Sequence, residues 1–122
     1  MSYHLQRIGV QHLVLERARV GERWRSERWD SLRFQFPARY VRLPDFDYDG
    51  DQPEGFLARD DIVRVLERYA HHIAAPLRCG VNVQSLRQDK DGLFQLSLGE
   101  AQLRARRVVL ATGAYQLSLI HI

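Results

Sequence analysis

The sequence predicts an α/β fold with a parallel sheet, a packed helix and a small antiparallel meander, and three stretches carry that prediction. Leu13, Val14 and Leu15 are consecutive rather than alternating with polar residues, as in a parallel strand buried on both faces. Residues 60–74 place Ile62, Leu66, Tyr69 and Ile73 on one helical stripe, with Val63 and Ala70 beside it. From Val81 the period changes to two, and Gly92 and Gly99 punctuate the pattern.

Composition bounds the rest. At 122 residues the chain is one domain or a piece of one. With 45% hydrophobic and 27% charged residues it reads as soluble and globular rather than disordered. No apolar run approaches a membrane span, and Met-Ser-Tyr-His-Leu-Gln-Arg has no secretory apolar core. Cys79 is the one cysteine, so no internal disulfide forms. A cytoplasmic location without a membrane partner is expected. The net charge of +3 comes largely from scattered arginines, a distribution that gives little support to nucleic-acid binding.

In chain order, Met1, Leu5 and Ile8 share a helical face and Gly9 follows where a left-handed helix end favours glycine. Helix, Gly9, then a buried parallel strand is the second half of a βαβ unit, and such a strand is expected to pair with an earlier one. No earlier strand precedes it, and no Gly-x-Gly-x-x-Gly turn opens the helix. The expectation is a parallel sheet lacking its first strand, with Met1 an internal methionine or the gene broken. Glu16 closes the strand of residues 12–16. Either it ends that strand in solvent, or it accepts hydrogen bonds from the ribose hydroxyls of an adenosine at the carboxyl edge of the sheet.

Residues 17–33 combine Gly21, Trp24 and Trp29 with arginines at 17, 19, 23, 25, 28 and 33. Taken singly, tryptophans pack and arginine stems cover apolar neighbours. Residues 44–53 hold Asp45, Asp47, Asp49 and Asp51 with Gly50 and two prolines, which predicts a surface loop. The aspartates alternate, but the calcium-loop pattern with its distal glutamate is missing, so no metal site is expected. His71 and His72 are adjacent on the helix and point about 100° apart, which suits two surface histidines better than a metal pair.

The meander runs through Val81, Val83 and Ser85, turns at Asp89–Gly92, and continues through Phe94, Leu96 and Leu98 to Leu103. Cys79 has no histidine at useful spacing and reads as an idle thiol. Val108-Val-Leu-Ala111 is a second apolar run and predicts a parallel strand ending on Thr112-Gly113, where glycine allows close approach of backbone to a ligand.

Taken together, Glu16-Arg17-x-x-x-Gly21-x-x-Trp24-Arg25, the Leu66-Glu67-x-Tyr69-Ala70 helix and Ala111-Thr112-Gly113 resemble the flavin-dependent monooxygenase group of two-dinucleotide-domain FAD/NAD(P) oxidoreductases. The resemblance implies a partial FAD-binding Rossmann-like domain over residues 1–116. It implies that Glu16 holds the FAD ribose, that Gly21 and Trp24 run beside the pyrophosphate and flavin, and that Arg17 and Arg25 neighbour the adenosine and phosphates. Val83 would bond the adenine through its backbone, and Thr112 and Gly113 would pass close to the cofactor. Phe34, Phe36 and Tyr40 either line the substrate side or fill core. Residues 117–122 match a translated transposase adapter and are set aside as a non-native tail.

The function so implied is part of an FAD-dependent oxidoreductase, a monooxygenase using NAD(P)H and oxygen on a small organic substrate, with the chain alone expected to be inactive. No residue presents itself as catalytic acid, base or nucleophile. Two alternatives stand beside it: a flavoprotein reductase without oxygen activation, and a non-catalytic basic interaction domain. The oligomeric state, the substrate and the choice between NADH and NADPH stay open.

Overall fold

The computed structural model describes residues 1–113. Helix α1, Ser2–Arg7, ends as its sequence dictates. Gly9 takes φ +70°, its N–H donates to Gln6 O at 3.0 Å and that of Val10 to Leu5 O at 2.9 Å, so the left-handed turn satisfies carbonyls that the helix leaves open. Strand β1, Val14–Leu15, follows. Its partner is not an earlier strand but a later one: β4, Leu77–Arg78, pairs parallel to it with Val14 opposite Leu77 and Leu15 opposite Arg78. The expected pairing with an earlier strand is therefore replaced, among the described residues, by pairing with a later one that follows α3.

Between these strands lie α2, Glu22–Ser26, a 3-10 turn at Ala38–Tyr40, strands β2, Arg42–Leu43, and β3, Phe46–Asp47, and helix α3, Arg59–His72. The aspartate-rich segment therefore begins as a tight antiparallel hairpin, with Arg42 opposite Asp47 and Leu43 opposite Phe46. Asp45 in its turn takes φ +59°, a conformation aspartate tolerates better than most residues. Beyond Asp47 the segment is loop, as expected.

Helix α3 is the centre of this unit. Asp61 caps its start by accepting the Ala58 N–H at 3.0 Å, and Asp60 and Asp61 both sit at the positive end of its dipole. Ile62 and Val63 are buried at 5% and 3% exposure, each contributing about 1.5 to 3 kcal/mol of hydrophobic burial. The helix stops two residues short of the expected end because Ala74 turns to φ +45°. The hairpin docks on the same helix: Phe46 meets Tyr69 edge-on at 5.5 Å, and Arg68 grips Asp49 at 2.6 and 3.0 Å. His71 and His72 are exposed, as read, and His72 lies 3.3 Å from Asp45.

This first unit ends at Asn82 and a second begins at Val83. The second holds an antiparallel meander of β5, Ser85–Gln88, β6, Phe94–Ser97, and β7, Gln102–Ala105. Register is continuous, with Leu86 opposite Leu96 and Leu96 opposite Leu103. Leu96 is accordingly the buried residue of the sheet. The first strand starts later than the alternation from Val81 predicts, because the Val81 N–H is already donated to Glu16 O at 3.0 Å.

Val108–Ala111 is not a strand. Val109 and Leu110 are 63% and 71% exposed. A run of apolar β-branched residues becomes a strand only when a neighbouring strand takes its backbone groups, and among the described residues none lies alongside it. Ala114 and the proposed tail at 117–122 lie outside the described residues.

Candidate cofactor site

The carboxyl end of β1 places two of the candidate residues, Glu16 and Arg17, side by side. Glu16 N donates to Arg78 O at 2.9 Å, which extends the parallel ladder past Leu15. The chain after β4 then folds around the following turn, Gly80 N donating to Ala18 O at 3.1 Å and Val81 N to Glu16 O at 3.0 Å. Glu16 is thus held on both sides by backbone. Its Oε1 accepts the Ala18 N–H at 2.8 Å, while Oε2 has no partner among the described residues. A partly buried carboxylate with one oxygen fixed and the other unspent is the donor-accepting group that a ribose diol requires. On that chemistry the residue fits an adenosine ribose.

Arg17 adjoins Glu16, is exposed, and makes no hydrogen bond or ion pair among the described residues. Its neighbours in the arginine-rich segment are differently placed. Arg19 pairs with Glu22 at 2.6 Å and Arg23 with Glu27 at 2.7 Å. The Arg19 guanidinium holds the Glu22 carboxyl below its ordinary range. Arg28 lies over the Trp24 ring at 5.8 Å. Arg25 pairs with Glu67 of α3 and reaches Val20 O at 3.4 Å. It therefore braces α2 against α3, a role invisible in sequence because the partners are 42 residues apart.

Gly21 precedes α2 with φ +69°, and a side chain at this position would approach Leu66 Cδ1 to 3.5 Å and Val63 to 3.7 Å. The glycine thus supplies a left-handed turn directly against α3. Trp24 is partly buried, its ring 6.4 Å from Phe34, which in turn meets Phe36 at 5.9 Å. Phe36 and Tyr40 are 49% and 58% exposed, so the aromatic row reaches the surface.

The remaining candidates belong to the second unit. Val83 lies before β5 and is 38% exposed, and its backbone is outside the ladder. Thr112 and Gly113 are exposed, with Gly113 at φ +82°, the left-handed region that suits glycine. Cys79 is a free, exposed thiol, and no group of three metal-ligating side chains occurs among the described residues. No helix is long and apolar enough to cross a membrane among the described residues. Sequence reasoning missed the Ala18 amide that fixes Glu16, as well as Glu67.

A family model described as pyridine nucleotide-disulphide oxidoreductase matches residues 1–120. Over 117 residues the chain is 32% identical to an uncharacterized CzcO-like oxidoreductase from Geobacillus kaustophilus, covering 95% of this chain and 33% of that protein. Over 108 residues it is 29% identical to a probable indole-3-pyruvate monooxygenase, YUCCA1, from Arabidopsis thaliana, covering 86% of the chain and 26% of the relative. The chain thus spans about a third or less of the curated relatives it matches. Among solved structures it superimposes on a bacillithiol disulfide reductase from Staphylococcus aureus with TM-score 0.80, at 15% identity over 94% of this chain and 34% of that one. It also matches a flavin-containing monooxygenase from Stenotrophomonas maltophilia with TM-score 0.70, at 20% identity over 86% and 32%. These likenesses show a shared fold.

Proposed function

The chain belongs to the pyridine nucleotide-disulphide oxidoreductase family, and from that premise we propose that it forms an FAD-binding part of a flavin-dependent monooxygenase using NAD(P)H and oxygen. The observation that carries the reading is Glu16, anchored through Oε1 to the Ala18 amide at 2.8 Å at the carboxyl end of β1. In an open α/β sheet that edge is where a dinucleotide lies. Glu16 binds the two ribose hydroxyls, and its negative charge selects a free 2′-hydroxyl over a 2′-phosphate. Arg17 screens the adjoining phosphates. By the resemblance, Gly21 and Trp24 run beside the pyrophosphate and flavin, Val83 bonds the adenine through its backbone, and Thr112 and Gly113 pass close to the cofactor. Arg25 acts indirectly, by holding α2 on α3.

Bound FAD supplies hydride acceptance from NAD(P)H and electron delivery to oxygen. The protein's share is binding and orientation, because none of the site residues stands as acid, base or nucleophile. The relative named as a probable indole-3-pyruvate monooxygenase supports the monooxygenase reading and a small organic substrate. Against a basic interaction domain stands the pairing of Arg19, Arg23, Arg25, Arg59 and Arg68 with carboxylates, which spends part of the positive charge that a polyanion would meet.

The test is flavin binding by the protein that carries this chain. Glu16→Ala removes charge-assisted hydrogen bonds worth about 1.5 to 3 kcal/mol each, so FAD affinity should fall by at least about tenfold. Flavin retention on dilution equal to that of the unaltered protein rejects the assignment. NAD(P)H oxidation coupled to oxygen uptake, measured on the same preparation, separates a monooxygenase from a reductase.

A further inference from the structure

Away from the cofactor candidates, the first unit contains a cleft of about 340 Å³, within the size range of small-molecule sites. Its wall includes Arg33, Phe46, Tyr48, Asp51, Phe56 and Val65, and shares no residue with Glu16, Arg17, Gly21, Trp24 or Arg25. Three arginines and three aspartates line it, and most of that charge is spent internally. Arg68 chelates Asp49 at 2.6 and 3.0 Å, and Arg64 pairs with Asp61, which also caps α3. Two opposite charges remain. Arg33 makes one long contact, 3.5 Å to Phe56 O, and no ion pair among the described residues. Asp51 has neither hydrogen bond nor ion pair among the described residues.

Both groups stand on anchored backbone. Arg33 is bridged to Ala58, with Phe34 N donating to Leu57 O at 2.8 Å and Arg59 N to Leu32 O at 3.1 Å. The loop bearing Asp51 is tied beyond it by Arg39 N to Pro53 O at 2.9 Å and Ala38 N to Gly55 O at 2.8 Å. Within that loop Tyr48 lies across Gly50 so closely that a Cβ on Gly50 would run into its hydroxyl. The glycine lets an aromatic ring form the wall. Phe56, 52% exposed, adds a second apolar surface that water solvates poorly.

We propose that this cleft binds a small zwitterion with an apolar or aromatic side chain, an α-amino acid by class. Its carboxylate meets Arg33, its ammonium group meets Asp51, and its side chain lies against Tyr48 and Phe56. A simple anion would engage Arg33 alone and a simple cation Asp51 alone, whereas a zwitterion engages both. The assignment does not depend on the flavin reading.

The experiment titrates the protein with L-phenylalanine, 3-phenylpropanoate and 2-phenylethylamine, followed by calorimetry. L-Phenylalanine should bind saturably and at least about tenfold more tightly than either single-charge analogue. Arg33→Gln should erase its advantage over 2-phenylethylamine, and Asp51→Asn its advantage over 3-phenylpropanoate. Equal binding of L-phenylalanine and 3-phenylpropanoate would overturn the proposal. So would absence of saturation up to about 10 mM, or an Arg33→Gln variant that binds L-phenylalanine unchanged. The ligand comparison on the unsubstituted protein decides the matter even where a variant misfolds.

Discussion

Arg25 on α2 and Glu67 on α3 form an ion pair that joins the two helices, with Arg25 28% exposed and Glu67 49% exposed. Arg25 is also tied to Val20 O. A residue so engaged stabilises the turn after Gly21 more than it serves a ligand. The partial exposure of both partners sets the scale: their coupling in a double-mutant cycle of Arg25→Ala and Glu67→Gln should be about 0.2 to 1 kcal/mol. Flavin affinity should follow stability rather than drop separately. A loss of FAD binding in Arg25→Ala with unchanged melting temperature would return Arg25 to direct contact with the cofactor.

Gly21 separates space from strain. Contacts of 3.5 and 3.7 Å leave ordinary room for a methyl group, so the cost of Gly21→Ala comes from φ +69°. That conformation costs about 1 to 2 kcal/mol for an L-residue, and less for asparagine. Thermal unfolding should therefore rank glycine above asparagine above alanine. Equal melting temperatures for all three would mean that the turn relaxes without penalty.

Asp89 should make the meander acid-sensitive. Its Oδ1 accepts the N–H groups of Asp91 at 3.0 Å and Leu93 at 2.9 Å, and Oδ2 accepts from Arg104 at 2.8 Å. The Arg104 hydrogen bond above all, with the backbone donors, holds the carboxyl below its ordinary range. As pH falls, the unfolded chain takes up the proton first. The stabilisation is therefore full above the ordinary aspartate value, about 4, and is lost as pH descends through the lower folded value. Asp89→Asn should lower stability at neutral pH and flatten the acid limb of unfolding curves followed by circular dichroism. An acid limb as steep as in the unaltered chain would place the sensitivity elsewhere.

What the sequence revealed of the fold follows from how local each signal is. The α3 stripe, the Gly9 stop and the turns at Gly92 and Gly99 depend on residues within a few positions of one another, and they stand where expected. The β1 partner is non-local, and Leu77–Arg78 carries no periodic signal of its own because it is two residues long. Val108–Ala111 failed for the complementary reason: its composition favours a strand, but strand formation depends on a neighbour. The position of Glu16 at the end of β1 was legible because an acidic residue terminates an apolar run. Its Ala18 clamp was not, since a backbone amide has no side-chain identity to read.

Gly113 allows conformation and cofactor approach to be told apart. Its φ of +82° alone favours glycine, and a β-branched residue there would be strained whether or not a ligand lies nearby. Gly113→Val therefore loses flavin for either reason. Gly113→Asn is the discriminating variant, because asparagine tolerates the left-handed region but still puts a side chain where the backbone of Thr112-Gly113 is proposed to meet FAD. Should that proposal hold, the asparagine variant keeps its melting temperature and loses flavin affinity by at least about tenfold, which corresponds to about 1.4 kcal/mol. The valine variant falls in both measures. Flavin binding by Gly113→Asn equal to that of the unaltered protein would leave glycine at this position explained by backbone conformation alone, and Thr112 and Gly113 would leave the cofactor site.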